Sequence, residues 1–400
     1  MTNLSELIAV PAHGRWQQAL LDRLARTELP TRKTEQWRYS ARHLGLTTPL
    51  RAALGRDSDH VAVSTVRIRD RQPVRTGALP AGLSVQIVPG EAEGPVCDTL
   101  SSSLNLPFAW MNGAVASAIV VIRVAANTEI ASPLLLDIEA ATGLSTPRVL
   151  LVLEQHASLT LIEQFSVTPE VDSESLCTAV LDIELHDGAR LTQIKQSAIE
   201  TQARQILSTT VRMQRASRLL AYGLHTGSAL GRHDFHVHLL GQGAECALNG
   251  ICLTQEAQHF DIHTSIEHLA PNCQSNQNYR CIADDRSHLV FNGRIHIHRD
   301  AQKSSGALSN RNLLLSPEAE IDAKPELEIY ADDVKCAHGT TIGKLNPNEL
   351  YYLQTRGIDQ ARARQMLTLG FLLEIVRAIP VDAVAEHWTS LLAERLQGHA

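Results

Sequence analysis

The sequence predicts a mainly β chain, a solenoid of stacked β-coils with a helical region at each end. Three observations predict it. Apolar residues recur at every second position from about residue 115, a small-residue motif returns with a loose period of about 30 residues, and helical spacing is confined to the two ends. The 400 residues divide accordingly into a mixed, partly helical region 1–112, a strand-rich core 113–345 and a helical region 346–400.

The elements follow in order. Near the N-terminus Trp16, Leu20 and Leu24 recur every four residues, with Leu21 beside them. That spacing predicts an amphipathic helix whose far end Pro30 limits. Residues 51–112 are mixed, because Gly, Pro and charge interrupt short strands such as Leu83–Val88, and no topology follows from them.

In the core, Leu159, Leu161, Glu163 and Phe165 alternate with Thr160, Ile162 and Gln164. Phe260, Ile262, Thr264 and Ile266 alternate with His259, Asp261, His263 and Ser265, and Leu289–Ile297 does the same. One apolar and one polar face predicts half-buried strands. A small residue, a spacer and an apolar residue recur as Ala157-Ser-Leu159, Ala189-Arg-Leu191, Ser217-Arg-Leu219, Ala244-Glu-Cys246, Ser287-His-Leu289 and Ala319-Glu-Ile321. Successive spacings are 32, 28, 27, 43 and 32, with a further copy, Ala257-Gln-His-Phe260, out of register inside the long gap. The repeat favours a β-helix over a β-sandwich, whose turns come about every 8–12 residues, but does not settle the choice.

After Pro347, Met366, Leu369, Leu372, Leu373 and Val376 stand at helical spacing within 359–379, and Pro380 ends that helix. Val384, Trp388, Leu391 and Leu392 form the stripe of another. Such stripes pack on their own domain or form a docking surface for a partner.

Composition bounds the function. Lys plus Arg is 36 and Asp plus Glu is 43, a net charge of −7, and aromatics are 4% of the chain. Neither clustered positive charge nor stacking platforms for nucleic acid are expected. No apolar run is long enough to span a membrane, and the first ten residues lack a basic leader, so the expectation is a cytoplasmic protein. Seven scattered cysteines with no CxxC spacing predict reduced, buried thiols rather than disulfides or a zinc ribbon. No GxxxxGK[ST], GxGxxG or GxSxG motif is present, which favours a scaffold over a self-sufficient enzyme.

Histidine carries the first candidate chemistry. Of 18 histidines, ten lie between His225 and His298. His236/His238 and His296/His298 have HxH spacing, so each pair shares a strand face and could share a metal. Both alternate with apolar residues, so both look outward, the usual place of a solvated or partner-facing histidine. A cupin-like site would also need a carboxylate and a third His. Asp332 and Asp333, after Glu326 and Glu328, could form a carboxylate cluster for sugar chemistry, but a solvated turn is the simpler reading. In Cys336-Ala-His338-Gly339, a thiolate and an imidazole two apart share a strand face, a soft metal or iron–sulfur donor pair that two ligands alone cannot close.

The stretch Asn310–Ile358, with Lys335-Cys-Ala-His-Gly-Thr-Thr-Ile-Gly343 at its centre, resembles the SufB/SufD family of the SUF iron–sulfur cluster assembly machinery, and within it the SufD branch rather than the EHEATTS-like SufB form. Pro30-Thr-Arg-Lys-Thr-Glu-Gln-Trp37-Arg-Tyr39 is similar to that branch's PTRKxExWKYT motif, departing at Arg38 and Ser40. The similarity is dense over 290–380, present at 30–40 and diffuse between.

The resemblance implies a right-handed parallel β-helix between N- and C-terminal helical regions. It implies pairing with a SufB-like paralogue through the β-helix and docking of a SufC-like ABC ATPase on the C-terminal helices, to which Tyr352, Arg356 and Gly357 are assigned. It places His338, and more weakly Cys336, at the SufB interface as ligands of iron or of a transient, nascent cluster. ATP-driven dimerisation of the ATPase would pull on the helices and shift that interface. The chain is then a non-catalytic subunit holding no cofactor in isolation, and self-pairing as a homodimer stays open. The alternative from another class is a metal-dependent β-helix or cupin-like enzyme using the HxH histidines.

Overall fold

The computed structural model describes residues 3–7, 14–46, 64–69, 74–94, 96, 97, 99–140, 142–167, 175–199 and 203–397. Residues 51–63 of the mixed segment lie outside the described residues.

Two parallel sheets face each other along the core. The first runs, in spatial order, Thr65–Arg69, Leu134–Ala140, Ser158–Val167, Arg190–Ile199, Arg218–Gly227, Glu245–Thr254, Gln274–Ala283, Ser305–Leu314 and Lys335–Gly343, with Arg75–Thr76 antiparallel at its outer edge. The second runs Ala118–Val124, Arg148–Leu153, Leu176–Leu185, Arg204–Met213, Leu230–Leu239, His259–His268, His288–Ile297 and Glu320–Ile329, with Leu83–Pro89 antiparallel beyond Ala118–Val124. From Ala118 onward the strands just named alternate between the sheets, so each coil contributes one strand to each. The result is a parallel β-helix of about seven turns, not a sandwich.

The repeat now has a physical origin. Ala157, Ala189, Ser217 and Ala244 each precede a strand of the first sheet, whereas Ser287 and Ala319 precede strands of the second. The 43-residue gap is one full coil plus the half-coil between the sheets. Cys273 and Ser304, 0% and 1% exposed, fill the small position in the two first-sheet coils that the motif skips. Two residues before these strands the chain takes a left-handed step, at His156, Gly188, Ala216, Gly243, Asn272 and Lys303. This step turns the chain sharply between coils, and the small residue that follows fits the narrow bend.

Inward residues of both sheets form one continuous core from Val66 to Ala331. It is not uniformly apolar. Glu163 and Lys195 point inward at 0% and 4% exposure, 3.1 Å apart. Lys195 Nζ also donates to Thr209 Oγ1 at 3.0 Å, and Thr209 lies 3.0 Å from His233 Nε2. Six of the seven cysteines are buried, and none of the seven forms a disulfide, as expected.

The outer faces are covered by the chain's own ends. The helix Arg15–Leu24 buries Leu20 and Leu24 against the helix Pro107–Val115 and the strand ends at Leu144, Leu176, Ile206 and Leu230. At the other end of the chain, the helices Gln360–Val376 and Asp382–Arg395 bury Leu372, Ile375, Val376, Trp388 and Leu392 on outward Ile194, Tyr222, Leu224, Ile251, Leu253 and Ile282 of the first sheet. Met366, expected on the apolar stripe, is 43% exposed, and the buried face has rotated towards Ile375 and Ile379. No helix among the described residues is long and apolar enough to cross a membrane.

Candidate functional site

The β-helix ends open. Among the described residues, Glu320–Ile329 is the last strand of one sheet and pairs only with His288–Ile297, and Lys335–Gly343 is the last of the other and pairs only with Ser305–Leu314. Each presents a row of unpaired backbone groups, the usual template for pairing with another chain. Ile329, Tyr330 and Ile342 are 41%, 63% and 46% exposed there. A Cβ added at Gly339 or Gly343 would meet nothing within 4 Å, so the last strand carries no covering layer.

Cys336 and His338 lie on this strand. Their register partners are Gly306 and Leu308, and Leu308 belongs to the core, so both residues face inward at the uncovered end. Cys336 is half-buried against the core and His338 is exposed. Burial raises the Cys336 thiol, partly offset by a hydrogen bond from the Gly306 backbone. Neither residue joins a third metal-ligating group among the described residues.

Only Lys344, Leu345 and Asn346 separate this strand from the helix Pro347–Thr355, which Asn346 caps through Asn348 N–H at 3.0 Å. That helix buries none of its residues. Tyr351 and Tyr352 are 68% and 57% exposed, and Arg356 lies over the Tyr352 ring at 5.2 Å. Gly357 follows with a left-handed φ of 84°. The two later helices are instead tied to the sheet. Trp388 Nε1 donates to Gln196 Oε1 at 2.9 Å, Tyr222 donates to the Ala378 carbonyl, and Arg280 pairs with Glu374.

The histidine strands differ from expectation. The HxH pairs do point away from the core, but the face they occupy is only partly open. His236 and His238 line a groove together with Glu35, Gln36 and 104–106. His259 and Asp261, on the expected polar face, are 0% and 1% exposed because the segment 35–43 lies on them. Burial by itself would raise the Asp261 carboxyl, but the His263 imidazole and the Arg232 guanidinium outweigh it and hold the group well below the usual range. Arg232 in turn stacks on Trp37, 4.1 Å from the ring centroid. The Trp37 motif thus clasps the N-terminal segment to the β-helix.

His296 and His298 meet a carboxylate that sequence reading missed. Glu267 Oε2 lies 2.8 Å from His296 Nδ1 and 2.7 Å from His298 Nε2. The signal was available only through register, since Glu267 pairs with His296 across adjacent strands. Arg294 fills the cluster, bonding Glu267 at 2.5 Å and Glu328 at 2.8 Å. His236 and His238 join no such group among the described residues. Asp332 and Asp333 are exposed in a turn, and Glu326 and Glu328 pair with Lys324 and Arg294.

Comparison with known proteins decides the family. Residues 136–371, more than half of the chain, match the family model for the SufBD core domain of the SUF system for FeS cluster assembly. The chain belongs to the SufB/SufD family. Similar members include the iron-sulfur cluster assembly protein SufD of Escherichia coli K12, 27% identical over 96% of this chain and 93% of that protein. A SufBD family protein of Synechocystis is 30% identical over 70% of this chain and 64% of its own length. Protein ABCI7, chloroplastic, of Arabidopsis thaliana is 31% identical over 68% of this chain and 59% of its own length. The matched SufB/SufD core contains the β-helix strands from Leu136 onward, the open end and the helix Pro347–Thr355.

Proposed function

We propose that this SufB/SufD-family chain is a non-catalytic, cytoplasmic scaffold subunit that pairs end to end with a SufB-like paralogue and carries a SufC-like ABC ATPase on its C-terminal region. The observation that supports it is the open end, two edge strands with exposed apolar side chains and the inward pair Cys336 and His338. A partner β-helix continuing the two sheets would cover the apolar groups and bring further donors to the pair. Iron or a transient cluster there is cargo, held jointly with the partner, His338 contributing an imidazole and Cys336 a thiolate.

The ATPase would bind the helix Pro347–Thr355 and the turn after it, through Tyr352, Arg356 and Gly357. Because three residues join that helix to the strand Lys335–Gly343, a pull on it loads the strand holding the candidate ligands. An exposed edge strand is among the cheapest parts of a fold to displace. The later helices, packed on the first sheet, would keep the rest of the β-helix fixed. The division at 112/113 and 345/346 and a right-handed coil belong to this reading.

A metal-dependent enzyme built on the HxH histidines is less well supported. Arg294 already supplies the positive charge between Glu267 and Glu328, so that cluster is a closed ion-pair network. Cluster formation by the co-expressed complex, followed by its visible absorption, tests the ligand role. His338→Ala should lower it severely, and unchanged absorption would refute that role.

A further inference from the structure

The assembly role leaves a second group of nitrogen donors unused. His43, at the end of the short helix Ala41–His43, meets His259 and His288 on neighbouring strands, with ligand atoms of all three within 4.8 Å of one another. The His43 and His259 rings stack at 4.1 Å between centroids, and those of His259 and His288 stand edge to face at 4.7 Å.

The far sides of two rings are already anchored. His259 Nε2 lies 2.9 Å from Ser40 Oγ, and His288 Nε2 lies 2.7 Å from Asp322 Oδ2. Outer hydrogen bonds of this kind fix the tautomer and aim of metal-bound histidines. His259 Nδ1 is buried with no hydrogen-bond partner, although the residue is 0% exposed. A buried ring nitrogen left unpaired calls for an explanation such as an ion or water. The Arg42 guanidinium, reaching in from a side chain 43% exposed, spans two of the rings. Its Nε lies 2.8 Å from His43 Nε2 and an Nη lies 3.0 Å from His288 Nδ1. Among the described residues the carboxylate it pairs with, Glu320, is 4.0 Å away. A loosely held cation therefore stands among the imidazoles, in contrast to Arg294, which two carboxylates grip. Asp322 and Glu320 offset the positive charge of Arg42 and of Arg32 nearby.

We propose that His43, His259 and His288 form a binding site for a divalent transition metal ion of the zinc class, with Arg42 swinging to solvent as the ion enters. Three neutral imidazoles leave a fourth, tetrahedral position for water. Stacked rings must rotate modestly to aim their nitrogens at one point. The bound ion would staple the segment carrying Trp37 and Ser40 to the second sheet, independently of any partner at the open end.

The test uses the purified full chain, stripped with a chelator and titrated with Co2+, whose tetrahedral complexes absorb strongly in the visible. One equivalent of Co2+, displaced by Zn2+, is expected. His43→Ala and His259→Gln should abolish the band, and Arg42→Gln should tighten binding about three- to tenfold by removing the competing guanidinium. His298→Ala should change nothing. Absence of a one-equivalent band, its survival in His43→Ala, its loss in His298→Ala, or unchanged affinity in Arg42→Gln each overturns the assignment. Should His259→Gln fail to fold, the two variants on the exposed side of the cluster decide.

Discussion

Lys195→Met isolates a charge inside the β-helix. In the folded chain Lys195 Nζ lies 3.1 Å from Glu163 Oε2, an ion pair not aligned as a hydrogen bond, and the two side chains are 4% and 0% exposed. At an effective dielectric constant of about 20, charges at this separation attract by roughly 5 kcal/mol. Methionine matches the length of the lysine stem but leaves Glu163 in the core with only Gln193 donating to it. Breaking a buried pair from one side costs about 3–5 kcal/mol. At about 2 °C per kcal/mol for a large chain, the midpoint should fall by roughly 6–10 °C. Denaturant titration followed by circular dichroism gives the free energy directly. The double variant Lys195→Met/Glu163→Leu should recover to within about 1 kcal/mol of the parent, because an apolar pair needs no charge compensation. A loss below about 1 kcal/mol in the single variant, or a double variant as weak as the single one, would refute the view that a desolvated ion pair spans these two coils.

Other consequences are equally direct. Burial and the Lys195 charge lower His225 to about 3, and burial lowers His268 to about 4 against the pull of Glu267. Both stay neutral in the fold while the unfolded chain takes up protons near pH 6.5. The stability they hold is therefore intact above that pH and drains as pH falls towards their folded values, by about 1.4 kcal/mol per pH unit each. His225→Asn/His268→Asn should flatten that slope by about two protons in unfolding titrations between pH 6.5 and 4.5, and an unchanged slope rules the pair out. Trp388→Ala removes a fully buried indole that bridges the C-terminal helices to Gln196, at about 3–5 kcal/mol. It should expose those helices to proteolysis with strand content unchanged, and uniform protection would contradict the packing. Tyr352→Ala, at a 57% exposed site, should shift stability by no more than about 0.5 kcal/mol. The same change should weaken capture of an ABC ATPase at least tenfold, measured by surface binding.

Alternation in Leu159–Phe165, Phe260–Ile266 and Leu289–Ile297 carried the strand assignment, because inward positions of a β-helix repeat every second residue as in any sheet. The small-residue motif carried the coil length. It could not show that Ser287 belongs to the opposite sheet from Ala244, since both bends need a small residue for the same steric reason. Glu163 reads as an oddity within an apolar row, and only register with Lys195 explains it. His236 and His238 read as solvated, and His259 as lying on an open polar face, because nothing in the strand pattern reveals that Glu35, Gln36 and Ser40 come to lie beside them. Glu267 and His296 are 29 positions apart, one coil, and their meeting is a consequence of stacking. Cys336 and His338 were legible as a same-face pair, but not that their strand is the last of its sheet.

The measurement that bears most directly on the scaffold reading is co-purification of this chain with the SufB-like paralogue and SufC-like ATPase of the same cell, with and without Tyr330→Asp and Ile342→Asp at the open end. A charge on either apolar group should eliminate capture of the paralogue while the isolated chain keeps its melting temperature and its grip on the ATPase. A ternary complex that forms equally well with both substitutions in place would contradict pairing through the open end of the β-helix.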